Sequence, residues 1–271
     1  MKYNISTITN IKEKYLRRKI YHLNKYLLKQ NEKVAYAYKN LETNDIFSFN
    51  LDVCFYSASA IKFLVCLYIY ELAEKNSELL DTKIKISLED FKGGSGIFKD
   101  NPDKLEYTIR ELVYYSLKES DNTAYIKLVN FVTADKLREY GLSLSAIHTL
   151  EGKDFFGITN ASDMIIYLTR LYKYFNTNSK LSNELKDYMS NPSYKIINSK
   201  NIDNNYFVRK YGSFGIAFHE VGIVYDKNPY ILIVLTQKNE LNDNEKTKYI
   251  NNVVRKIHKI NKLIYSEKLN K

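Results

Sequence analysis

An α/β fold of the α+β kind is predicted: a five-stranded antiparallel sheet, covered by the N- and C-terminal helices, with a large helical insert. Three observations predict it. Two strand-like runs lie close together near the start, three more follow one another near the end, and helical periodicity fills most of the stretch between. Short connections within each group of strands favour antiparallel pairing, because parallel pairing needs a long crossover.

The elements follow in order. Residues 10–30 repeat Ile11, Tyr15, Ile20, Leu23 and Leu27 near helical spacing, with Lys and Arg between them. "KVAYAYKN" at 33–40 alternates like a strand; "NDIFSFN" at 44–50 follows a short turn, so the pair reads as a hairpin. Helices are predicted over 59–75, 103–117, 121–131, 162–175 and 181–189. "FKGGSGIFKD" at 91–100 lacks the Gly-Lys-Ser/Thr ending of a phosphate loop and reads as a turn. "YFVRKYG" (206–212), "IAFHEVGIVY" (216–225) and "PYILIVLTQ" (229–237) are rich in β-branched and aromatic residues. Pro229 opens the last of these, where a missing N–H does least harm. A final helix over 243–264 places Ile250, Val253, Ile257, Ile260 and Ile264 on one side. The chain thus reads as a single unit. Its α/β part is 1–50 plus 206–271, its helical part is 51–205, and a groove between them suits a ligand.

Composition narrows the partners. With 271 residues and 45% hydrophobic content, the chain can build a sizeable core, and three Pro and nine Gly leave little for linkers. The net charge of +10 suits an anionic partner, but the lysines are spread along the whole chain, so nucleic acid is not expected. No run is long and apolar enough to span a bilayer. The N-terminus lacks the apolar centre of a signal peptide, so a cytoplasmic location is expected, or the cell envelope or beyond if an export segment has been removed. Cys54 and Cys66 have neither disulfide-framework nor zinc spacing. His219 falls in a strand, and no two histidines have metal-ligand spacing. No metal or cofactor is expected; a monomer acting on a small molecule is.

The chemistry centres on "FYSASAIKFLVCLYIYELAEK" at 55–75, where Lys62 follows Ser59 by three residues. A serine at a helix start is an ordinary N-cap, and the lysine would then be solvated. The spacing also permits chemistry. Residues i and i+3 share a helix face. Among Phe63, Leu64 and Val65, desolvation would lower the lysine pKa, and a neutral amine can take the proton of a serine hydroxyl. Ser120-Asp121-Asn122 reads alone as a cap of the next helix, and Lys210-Tyr211-Gly212-Ser213 as a strand ending in a turn.

Together and in this order the three resemble the S-x-x-K, S-D-N and K-T-G signature of class A β-lactamases and penicillin-binding proteins. The resemblance extends from about residue 30 to the end. It implies an acylated nucleophile at Ser59, with Lys62 as its proton partner. Ser120 would relay a proton toward the leaving nitrogen, and Asn122 would bind the amide side chain of the substrate. Lys210 would supply charge for a substrate carboxylate, with Gly212 and Ser213 beside it. The backbone N–H groups of Ser59 and Ser213 would form the oxyanion hole. Two departures stand out. Tyr211 replaces the usual Thr, and its hydroxyl is expected elsewhere. The E-x-x-L-N segment, whose glutamate activates the deacylating water, is missing; Glu151 and Asp154 are the nearest acids, and each reads as a surface charge. The expected activity is acylation by β-lactams or related amides and esters, with slow hydrolysis. The alternatives are a penicillin-binding or D-Ala-D-Ala peptidase-like protein, an esterase, or a non-catalytic sensor of peptidoglycan fragments. A sensor would have no need of Ser59, Lys62 and Ser120 together.

Overall fold

The structure is a computed structural model that describes residues 7–30, 33–100, 105–152, 154–237 and 241–269. Helix α1 (Lys14–Leu28) leads into β1 (Lys33–Asn40) and β2 (Ile46–Phe49), the expected hairpin. The tail supplies β7 (Tyr206–Phe214), β8 (Ala217–Tyr225), β9 (Tyr230–Gln237) and α8 (Asp243–Leu269). These five strands form one antiparallel sheet in the order β2-β1-β9-β8-β7, so the first and last segments of the chain meet at its centre.

Side-chain alternation divides the sheet into two faces. Val34, Tyr36 and Tyr38 of β1 join Tyr230, Leu232 and Val234 of β9 in a core closed by Leu16, Ile20 and Leu23 of α1 and Ile250, Val253 and Ile257 of α8. Ala35, Ala37, Ile231, Ile233 and Leu235 face the other way, onto the insert. Cover on both faces explains why β8 and β9 read as near-continuous apolar runs despite antiparallel pairing.

The insert holds β3 (Phe55–Tyr56), α2 (Lys62–Ala73), β4 (Lys83–Lys85), β5 (Glu106–Thr108), α3 (Ile109–Lys118), α4 (Asn122–Val132), α5 (Ala134–Ser143), β6 (Ile158–Thr159), α6 (Ala161–Phe175) and α7 (Lys180–Ser190). Most predicted helices appear near their expected bounds, and three details differ. The helix expected over 103–117 begins at Ile109. Thr108 and Glu111 form a reciprocal capping box there, and the preceding residues pair with β4; residues 103 and 104 lie outside the described residues. Helix α5 was not expected: its polar stretch buries only Leu137 and Gly141, too little for a readable apolar stripe. Two small ribbons, β3–β6 and β4–β5, punctuate the helices.

Candidate active site

Helix α2 is apolar nearly all round and is packed on all sides, as the fully buried Phe63, Cys66, Leu67 and Ile69 show. Ser59 does not cap it. The serine sits inside a short 3-10 turn, Ala58–Ile61, whose Ser59 carbonyl accepts the N–H of Lys62. Ala58 just before it has φ of +45° and Ser120 has φ of +55°. A non-glycine residue there costs about 1–2 kcal/mol and persists only where its surroundings hold it. Both motifs are therefore fixed by tertiary packing, not by local preference.

Strand β7 holds the 3-10 turn from the other side. A Cβ on Gly212 would lie 2.6 Å from the backbone nitrogen of Ala60 and 3.1 Å from the Ser57 carbonyl oxygen. Only a glycine allows the strand to come this close, which gives the third motif its structural reason. Alternation along β7 turns Lys210 toward the insert.

Ser120 is where the motifs meet. Lys62 Nζ donates to the Ser120 carbonyl at 2.5 Å and to Asn122 Oδ1 at 2.8 Å, with Ser120 Oγ at 3.4 Å. Lys210 Nζ donates to Ser120 Oγ at 2.8 Å. Both lysines are fully buried. Burial, and then the neighbouring charge of Lys210, holds the Lys62 pKa well below its ordinary value. Burial brings Lys210 down to about 7, against an opposing pull from Glu220. The Ser59 hydroxyl makes no hydrogen bond to a described residue; Lys62 turns to Ser120 and Asn122 instead. Nucleophile–base bonds are often long or unformed before substrate arrives.

All seven sequence-predicted residues converge. Ser59, Asn122 and Ser213 line one cavity of about 420 Å³, with Lys62, Ser120, Lys210 and Gly212 behind its wall. The segment 91–100 is more than the turn it was read as, because Lys92, Gly93, Gly94 and Ser95 form the cavity rim. The second motif suspends that rim. Asp121 Oδ2 accepts the N–H groups of Ile97 and Phe98 at 2.8 and 3.0 Å, while its Oδ1 caps α4 through Ala124. Asn122 Nδ2 donates to the Gly93 carbonyl at 2.8 Å. A Cβ on Gly96 would collide with Asp121, so that glycine serves the clamp.

Tyr211 stands where the resemblance leads one to expect Thr; its ring lies 5.5 Å from that of Tyr194, and burial raises its phenol pKa above the ordinary value. Sequence reasoning missed Tyr56, Phe156 and Phe214, which complete the wall, and no motif marks them. Asp154, read as a surface charge, is exposed yet lines the cavity. Its Oδ1 accepts the N–H groups of Phe156 and Gly157 at 2.8 and 2.9 Å. Burial, then Asp154 itself, pushes the Tyr56 phenol up to about 12. Glu151 lies outside the cavity lining, bonded to His148. His219 is structural. Its Nδ1 accepts the Thr236 N–H and its Nε2 faces the Tyr56 carbonyl at 2.8 Å, and burial lowers its pKa to about 4. Among the described residues no His/Cys/Asp/Glu group could hold a metal ion, and no helix is long and apolar enough to cross a membrane.

A family model described as the beta-lactamase enzyme family matches residues 17–260. The chain belongs to that family. A search of curated proteins finds no match. Among solved structures, the fold is similar to a mutant of PBP-A in acyl-enzyme complex with penicillin G, at TM-score 0.80 and 17% identity over 90% of this chain and 96% of that one. It is similar to a beta-lactamase from Sphaerobacter thermophilus at 0.79 and 19%, over 91% and 97%. The TLA-1 extended-spectrum beta-lactamase, in a variant form, gives 0.80 and 18%, over 91% and 99%. At these identities the likeness is one of fold, the class A beta-lactamase fold.

Proposed function

We propose that this member of the beta-lactamase enzyme family is a serine acyl-transfer hydrolase, acylated on Ser59 by β-lactams or related amides and esters, and that it releases the acyl group slowly. The observation that carries the reading is the Ser120 hydroxyl, held by one buried lysine and approached by a second, behind the wall of the cavity that Ser59 lines.

The steps use groups already in place. Lys62, pressed toward its neutral amine, takes the hydroxyl proton as Ser59 Oγ attacks the substrate carbonyl. The developing oxyanion is met by the backbone N–H groups of Ser59 and Ser213, and one such donor is worth about 10²–10³ in rate. The C–N bond then breaks. The leaving nitrogen takes a proton from the Ser120 hydroxyl, which regains one from Lys62. Lys210 steadies Ser120 through this exchange and offers charge to a substrate carboxylate. Asn122 can receive a substrate amide only by sharing the side chain now tied to Lys62 and Gly93.

Deacylation needs a water and a base beside the ester. Asp154 has one carboxylate oxygen engaged by two backbone N–H groups, and Glu151 is bonded to His148. General-base assistance contributes about 10²–10⁴-fold, and its loss leaves a persistent acyl-enzyme. That engagement favours penicillin-binding behaviour over rapid antibiotic hydrolysis as the second reading. The test is intact-mass spectrometry after exposure to benzylpenicillin. The protein should gain the mass of one penicillin, and Ser59→Ala should gain none. An adduct that survives Ser59→Ala overturns the assignment.

A further inference from the structure

A second cavity, of about 610 Å³, opens behind the catalytic strand, between the segment 195–201 and the first turns of α8. Its size suits a small molecule. Arg209, next to Lys210 on β7, lines it from the opposite face of the sheet. Lys195 and Lys248 stand on its two walls, and no acidic residue among the described residues lines it.

Arg209 is the unusual member, since it is 94% buried and incompletely paired. Its Nη1 donates to the Ile197 carbonyl at 2.7 Å and reaches Glu220 at 3.5 Å. Its Nε is buried with no hydrogen-bond partner among the described residues, and the guanidinium lies over the Phe207 ring at 4.5 Å. Glu220 is an incomplete counter-ion: it makes a single long contact with the guanidinium and is already taken by the N–H groups of Ile196 and Ile197. A buried cation normally finds bidentate carboxylate or phosphate partners, because an unmatched donor there is costly. The walls are also built in advance. Asn251 of α8 donates to the Ile196 carbonyl at 2.7 Å and accepts the Asn198 N–H at 2.7 Å, which fixes the loop to the helix across the cavity floor.

We infer that this cavity binds a phosphate group, free or carried by a small molecule, with Arg209 at its base and Lys195 and Lys248 at its rim. Phosphate fits because its several oxygens can engage cations that line the cavity from three different elements, Lys195 turning from its bond to Asn191, whereas chloride offers none of that geometry.

The experiment is isothermal titration of the full chain with inorganic phosphate, against sodium chloride at matched ionic strength. Saturable one-site binding that chloride does not reproduce is expected. The double variant Lys195→Gln/Lys248→Gln changes two exposed side chains outside the acylation site. It should bind about tenfold more weakly while keeping its penicillin adduct. Arg209→Lys, checked for folding by circular dichroism, should lose the binding too. Absence of saturation with phosphate, or equal affinity in the double variant, overturns the inference. The readout does not pass through Ser59, so the site stands or falls independently of the acylation reading.

Discussion

Gly212→Ala tests how closely the third motif governs the nucleophile. The added methyl would sit 2.6 Å from the Ala60 nitrogen and 3.1 Å from both Ala60 Cβ and the Ser57 carbonyl oxygen. The nearest obstacle is backbone, so it cannot swing aside as a side chain would. Restoring an ordinary contact of about 3.5 Å moves the strand and the 3-10 turn apart by nearly 1 Å. That displacement separates the N–H groups of Ser59 and Ser213, the two proposed oxyanion donors. A misplacement of about 1 Å can cost about 10²-fold in rate, similar to losing one such donor. Overpacking itself costs about 1–3 kcal/mol, a fall in Tm of roughly 2–10 °C at this chain length. Stopped-flow acylation with a chromogenic cephalosporin, run well below the new Tm, separates slow chemistry from unfolding. Wild-type acylation together with an unchanged Tm would refute the idea that the glycine is there for close approach.

Lys62→Met keeps the apolar stem and removes the amine, so acylation should slow by about 10²–10⁴-fold in the same assay; an unchanged rate would place the base elsewhere. Penicillin turnover should show a burst of one equivalent and then a slow phase, unaffected by Glu151→Gln. Rapid multiple turnover lost in that variant would show that Glu151 activates the water. Stability should also depend on pH through Lys210, whose folded pKa of about 7 lies below its unfolded value of 10.5. Between these values the unfolded chain holds a proton that the folded chain sheds, so stability rises with pH across the window, by at most about 1.4 kcal/mol per unit. Urea unfolding from pH 7 to 9 should show this rise, and Lys210→Met should reduce it, with Lys62, also held below its ordinary pKa by burial, supplying the remainder.

The sheet strands were legible because their β-branched and aromatic runs are short and bounded by turn residues, and the three motifs because their residue types and order are specific. The 3-10 turn at Ser59 was not legible. A serine ahead of an apolar helix looks like a cap whether it caps or not, and only the strand packed against Ala60 reveals the tighter turn. The rim at 93–96 was hidden for a similar reason. Its glycines answer to Asp121 and Asn122, some 25 residues away in sequence, and no local pattern records that. Asp154 looked like any loop acid because what distinguishes it, a seat in the cavity wall, is purely spatial.

The way Asp121 and Asn122 suspend the glycine rim limits how this protein can change. Each side chain answers to two demands at once, the loop on one side and α4 or Lys62 on the other. A substitution in the tripeptide that improved the fit to a new substrate would also release the mouth of the cavity. Variation in what the site admits is therefore channelled to positions without that double duty, such as Lys92, Ser95 and Phe214. Laboratory selection for a new substrate should find its first answers there.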